Sequence, residues 1–186
     1  MATEDGQPQE ALAVWRTLLG RVPPGHPAAA EARISVALAL AESGQFAEGI
    51  PICRQAMTSA APGRTYIEAG LACGEIHERA GETNEAVAIY DLLAAGNSIP
   101  GDLLTDIASG KARVLMASGR SQEAIETLDD ALSRLDDATH RLPLVAIQAH
   151  LLQQAGDRDR IDAVIAERDR MADDAPEVAG PILMDA

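Results

Sequence analysis

The stretch Gly74-Glu-Ile-His-Glu-Arg-Ala-Gly81-Glu-Thr-Asn-Glu-Ala86-Val-Ala-Ile-Tyr90 decides the fold, because its plan returns at Ala112-Arg-Val-Leu-Met-Ala-Ser-Gly119-Arg-Ser-Gln-Glu-Ala124-Ile-Glu-Thr-Leu128. Both place a small residue seven positions before a glycine, another small residue five after it, and a large residue nine after it. Spacings of three, four and seven on each side of a glycine describe two amphipathic helices joined by a tight turn. The glycine suits the left-handed conformation that ends the first helix. Thr83 and Ser121, two residues later, are expected to cap the second helix, with Glu85 and Glu123 favoured in its first turn by the helix dipole.

Working outward, the glycine recurs as Gly6, Gly44, Gly81, Gly119 and Gly156, at intervals of 38, 37, 38 and 37 residues. A fixed period of this size marks a repeat array. Before four of these glycines stand Ala37, Gly74, Ala112 and Ala149 at minus seven, and Leu40, His77, Leu115 and Leu152 at minus four. After them come Ala11, Gly49, Ala86, Ala124 and Ile161 at plus five, then Trp15, Cys53, Tyr90, Leu128 and Ile165 at plus nine. Leu18, Ala56, Leu93, Ala131 and Arg168 follow at plus twelve.

These residues resemble the tetratricopeptide repeat, a family of paired antiparallel helices. The resemblance implies an all-α solenoid of about nine helices wound as a right-handed superhelix. It covers the chain from about Gly6 to Met171. The expected array spans 1–175, with a half repeat at 6–24 and repeats at 27–61, 64–97, 102–136 and 140–173. The family period is about 34 residues, so the excess is assigned to the loops Pro23–Pro27 and Gly96–Gly101. Pro51, about one turn inside a second helix, is expected to remove an amide bond and bend the start of that helix. The array opens on a second helix that lacks its first. Either the chain is cut from a longer protein with an upstream domain, or Leu12, Trp15, Leu18 and Leu19 form an N-terminal interface with another copy or a partner. The tail, 176–186, carries Ile182, Leu183 and Met184 as an expected cap.

Composition excludes several functional classes. Of 186 residues, 47% are hydrophobic and 2% aromatic, so Ala and Leu carry the packing, against a β-rich fold. A net charge of −14 argues against nucleic acid and anionic membranes as partners. The first residues show no signal-peptide pattern, and no run approaches the roughly 18 apolar residues of a membrane span. Two cysteines, Cys53 and Cys73, fall at core phase on adjacent helices and read as packed thiols in a reducing compartment. The expected location is cytoplasmic, or periplasmic if the chain is a piece of an exported or anchored protein. Only Lys111 among the basic residues is not arginine, which suggests a bacterial GC-rich gene.

In the tetratricopeptide family the first helices line a concave face, the usual peptide-binding surface. The corresponding candidates here are Leu38, Glu68, Leu71, Glu75, Glu78, Arg79, Asp106, Arg113, Met116, Ile147 and His150. Acidic residues flanking apolar anchors suit a basic or amphipathic helical peptide. The Lys and Asn clamp with which some members grip a C-terminal carboxylate is absent, since Ile34, Leu38, Ala72, Asp106 and Gly110 occupy those places. His77 reads as a buried, hydrogen-bonded core histidine, with His150 too far along the array to share an ion with it.

No phosphate loop, nucleophile elbow or Cys-x-x-Cys occurs, and no carboxylate is placed by pattern against an acid or base. No cofactor, metal or catalytic residue is assigned. The expected function is a non-catalytic protein-interaction scaffold. The alternatives are a homo-oligomerisation module using the N-terminal helix and the tail, or a regulatory phosphatase module of the kind that some bacterial relatives form.

Overall fold

The computed structural model describes residues 6–23 and 26–174. Among the described residues there are nine helices and no strand: α1 (Gly6–Arg21), α2 (Pro27–Glu42), α3 (Phe46–Ser59), α4 (Arg64–Arg79), α5 (Thr83–Ala94), α6 (Gly101–Ala117), α7 (Ser121–Ser133), α8 (Ala138–Ala155) and α9 (Arg158–Asp174). They fall into two compact units, Met1–Gly96 and Asn97–Ala186. The expected cap at Ile182–Met184 lies outside the described residues.

The glycine turns are built alike in both units. Gly44, Gly81, Gly119 and Gly156 have φ of 71°, 76°, 76° and 72°, the left-handed region that disfavours any residue with a Cβ. After each of them the next amide donates back to the carbonyl four residues before the glycine. These bonds run from Gln45 to Leu40 (2.8 Å), Glu82 to His77 (2.9 Å), Arg120 to Leu115 (2.9 Å) and Asp157 to Leu152 (3.1 Å). The minus-four residue thus contributes a core side chain and the carbonyl that closes the turn.

The expected caps are corrected. Thr83 and Ser121 are the first helical residues of α5 and α7, while Glu82 and Arg120 hold the cap positions without a side-chain cap bond. The turn is one residue tighter than the pattern suggests. Glu82 and Arg120 already offer their carbonyls to the Ala86 and Ala124 amides, at 3.0 and 3.1 Å. In α7 the Arg120 guanidinium instead grips the Glu123 carboxylate at 2.7 and 2.6 Å, and this bond holds the Glu123 carboxyl below its ordinary range. Helix α3 continues through Pro51, and α8 through Pro143.

Asp137 caps α8, its Oδ1 accepting from the Thr139 amide at 2.7 Å. The Thr139 hydrogen bonds hold the Asp137 carboxyl below the usual aspartate range. A folded-state value below the unfolded one contributes stability above the ordinary aspartate value near 4, and that contribution disappears as pH falls through the folded value. Asp137→Ala is therefore expected to be less stable than wild type at pH 7, with the gap closing below about pH 4. Thermal unfolding across that range checks it, and an equal gap at pH 3 and pH 7 would remove the charge from the account.

In the first unit α1 packs on α2, α2 on α3 and α4, α3 on α4, and α4 on α5. Small residues set the close approaches. A Cβ on Gly70 would lie 2.6 Å from Leu93 Cδ2, and one on Gly74 would lie 2.7 Å from Tyr90 Cζ. Ala37, Ala41, Cys53, Cys73 and Ile76 form a buried cluster between α2, α3 and α4. The expectation of two packed thiols is corrected here, because Cys53 and Cys73 are joined in a disulfide and are both fully buried. Helix packing brings their Cα atoms to 5.4 Å, within the span a disulfide bridges.

In the second unit α6 packs on α7 and α8, α7 on α8, and α8 on α9. Arg141 of α8 donates to the Leu132 and Leu135 carbonyls at 2.6 and 2.8 Å, closing the end of α7, and also bonds the Glu167 carboxylate of α9. Asp129 ties the same three helices. It accepts from the buried Gln148 amide and from Arg160 Nη2 at 3.0 and 2.9 Å.

Candidate functional site

Three faces carry the candidates named from the sequence, two of them in the first unit. Helix α4 repeats a ridge at Arg64, Glu68, Leu71, Glu75, Glu78 and Arg79, positions that share one side of a helix. Leu71 is half-buried, as is Leu38 on the neighbouring α2, where it packs against the Cys53–Cys73 cluster. The ridge is less acidic than its carboxylates suggest. Glu75 pairs with Arg79 at 2.8 Å, and Glu68 with Arg64 at 3.6 Å. Glu68, Glu75 and Glu78 against Arg64 and Arg79 leave a net charge of −1 on the ridge (2 − 3). Exposed i,i+4 pairs of this kind contribute only a few tenths of a kcal/mol, so their main effect is to order the ridge.

The second unit presents Asp106 and Arg113 exposed on α6, with Met116 half-buried, and Ile147 half-buried and His150 exposed on α8. His150 Nε2 lies 2.9 Å from the Gln154 amide nitrogen. Among the described residues no group of three or more His, Cys, Asp and Glu could hold a metal ion, and no helix is long and apolar enough to cross a membrane.

Helix α1 splits the expected N-terminal interface. Leu12 is buried with Val36, Ala39 and Leu40, and Trp15 packs on the same cluster. Leu19 is half-buried, whereas Leu18 is 40% exposed. Val14, which the sequence reading leaves out, is 66% exposed. Ala13, Val14, Thr17, Leu18 and Arg21 line a trough of about 390 Å³. A signal was present in the sequence, since Val14 stands at plus eight, where three of the four later repeats place Ile52, Ile89 and Val164 and the remaining one Thr127.

His77 is buried as expected. Its Nδ1 lies 2.6 Å from the Glu82 carboxylate, and Arg54 Nη2 lies 3.5 Å from its Nε2. A neutral ring that donates from Nδ1 and accepts at Nε2 satisfies both contacts. The left-handed turn at Gly81 returns Glu82 onto the ring, so an imidazole is accommodated where the other repeats place leucine.

Comparison with known proteins agrees with this architecture. Residues 3–64 match the family described as Tetratricopeptide repeat. Tetratricopeptide-like repeats of a putative kinesin light chain from Podosopora anserina have a similar structure, at 19% identity and a TM-score of 0.70, covering 94% of this chain and 91% of that one. MamA of strain MSR-1 is similar at 16% identity and a TM-score of 0.57, covering 91% and 90%. Bacillus thuringiensis PlcR, solved with the peptide PapR7 and DNA, is similar at 12% identity and a TM-score of 0.64, covering 96% of this chain and 69% of that one. No curated protein sequence matches the chain. The resemblance is borne out in fold, with turn glycines at Gly44, Gly81, Gly119 and Gly156, whereas Gly6, expected as a fifth, is instead the first residue of helix α1.

Proposed function

We propose that this chain, built of tetratricopeptide-type helix pairs, is a non-catalytic scaffold that binds a protein partner through the ridges of its first helices. The observation that carries the reading is the pair of half-buried leucines, Leu38 and Leu71, on the packed first helices α2 and α4. Leu71 lies between Glu68 and Glu75, which are already paired with Arg64 and Arg79. An amphipathic helix would bury its apolar face on the leucines, while its basic residues competed with Arg64 and Arg79 for the glutamates. PlcR, of similar fold, was solved with a peptide, which supports peptide binding as a use of this architecture. The Cys53–Cys73 bridge supports an oxidising compartment, the exported alternative of the sequence reading.

The test uses a fluorescein-labelled model helix of leucine and lysine at i,i+3,i+4 spacing. Leu71→Glu is expected to weaken its binding at least tenfold, and Glu75→Lys with Glu78→Lys to weaken it and flatten its salt dependence. Wild-type affinity in both variants would sink the ridge as the site.

A further inference from the structure

The Cys53–Cys73 bridge lies beneath the two leucine anchors of the ridge. Cys53 is on α3 and Cys73 on α4, so the bond joins the second helix of one pair to the first helix of the next. The chain itself joins them through Ala60, Ala61, Pro62 and Gly63. Gly63 has φ of 130°, and a Cβ there would meet nothing within 4 Å, so packing does not brace that point of the connection. Arg54 Nη2 and His77 Nε2 face each other across the same boundary at 3.5 Å, a long polar contact. The disulfide is the covalent tie between these helices.

The anchors reach this tie from two sides. Leu38, on α2, packs against the buried cluster that contains both cysteines. Leu71, on α4, stands two residues before Cys73. Helix α2 packs on both α3 and α4. The bond thus fixes the helix that carries Leu71 against α3, while the cluster around the bond seats the helix that carries Leu38. The two leucines belong to different helix pairs, and a ligand helix spanning both needs them in one register. Without the bond that register is held by noncovalent packing alone. A ligand must then select one arrangement of α4 against α2 and α3, which lowers its apparent affinity.

We propose that the Cys53–Cys73 disulfide controls binding at the ridge: the oxidised chain holds Leu38 and Leu71 in register and binds an amphipathic helix, and the dithiol form binds it weakly. This control rests on the ridge being the binding surface and adds its regulation. The switching chemistry is thiol–disulfide exchange with a dithiol reductant. One reductant thiolate attacks a protein sulfur, forming a mixed disulfide and releasing the other cysteine as a thiolate. The second reductant thiol then displaces the remaining cysteine. The protein sulfurs gain two electrons and two protons, and the reductant leaves as its own disulfide. Both sulfurs are fully buried, so exchange waits for an opening of the unit. The bond therefore records the compartment in which the chain folded rather than a rapid signal. Linkage makes the control reciprocal, and a bound helix should make the disulfide harder to reduce by the same factor.

The test compares three proteins: oxidised wild type, wild type unfolded and refolded in dithiothreitol, and the Cys53→Ala, Cys73→Ala variant. The probe is the fluorescein-labelled leucine–lysine helix, at a temperature where all three give the same circular dichroism. Anisotropy is expected to show at least fivefold weaker binding by both bond-free proteins, with no effect of reductant on the variant. Methyl relaxation dispersion reads the register without any ligand. Leu38 and Leu71 should show millisecond exchange in the bond-free proteins and none in the oxidised one, with Leu115 of the second unit unaffected. Failure of the oxidised protein to bind sinks the ridge as the site and this control with it. Binding by the oxidised protein with no loss in the bond-free ones overturns the control alone, as do Leu38 and Leu71 methyl groups equally quiet in all three. Bond-free proteins without helical signal at any temperature also overturn it, since the bond would then be a condition of folding.

Discussion

Reduction of the Cys53–Cys73 disulfide is expected to destabilise the first unit by about 3 kcal/mol, the loop-closure estimate for cysteines 20 residues apart. The bond joins α3 to α4 inside the cluster of Ala37, Ala41 and Ile76. Its removal frees the α3–α4 connection in the unfolded chain without opening a new path for water in the folded one. Both sulfurs are fully buried, so reduction is expected to follow unfolding and to be slow under native conditions. The single tryptophan, Trp15, lies in the first unit and reports that unit's transition by fluorescence. With reductant its urea midpoint should fall by about 1–3 M. The Cys53→Ala, Cys73→Ala variant should start lower and ignore reductant. Two titratable thiols in the oxidised, denatured wild type would show that the bond had not formed.

The disulfide marks a boundary of what the chain discloses as a sequence. The turns are legible because a φ near 70° needs glycine, so geometry leaves a residue type at fixed intervals. The minus-four leucines are legible because the residue that closes the turn also packs. His77 breaks that row, yet its burial follows from the phase, and only the return of Glu82 depends on the folded turn. The cysteine pair is different. A separation of 20 residues carries no bonding information, because bridging depends on the register of α3 against α4. The caps fail for a related reason, since Thr83 and Ser121 fit the cap preference while the turn consumes one residue fewer. At α1 the phase points to an open flank. Which leucine stays bare depends on how α1 leans on α2, and that lean buries Leu12 while leaving Leu18 exposed.

Gly74→Ala offers a sharper test of the packing, because propensity and sterics predict opposite signs. In an exposed helix interior the change from glycine to alanine stabilises by about 1 kcal/mol. Gly20 illustrates that case, since an added Cβ there meets nothing within 4 Å, and Gly20→Ala should raise stability by up to about 1 kcal/mol. At Gly74 the new Cβ would stand 2.7 Å from Tyr90 Cζ, 2.9 Å from Cε1 and 3.0 Å from the hydroxyl oxygen. The Tyr90 ring is rigid and 1% exposed, so it cannot turn aside into solvent. Relief requires α4 and α5 to separate, which forces the neighbouring Gly70–Leu93 contact apart as well. Overpacking of this kind costs about 1–3 kcal/mol, enough to reverse the propensity gain, and a leucine at position 74 should cost more. Tyr90→Leu alone should also destabilise by leaving a cavity. In the Gly74→Ala background its cost should shrink, because the added methyl group fills part of that space. A double-mutant cycle with non-additivity of about 1 kcal/mol or more would place the two residues in direct contact. Strict additivity, or a Gly74→Ala protein more stable than wild type, would mean that α4 and α5 do not approach as closely as the glycine stripe requires.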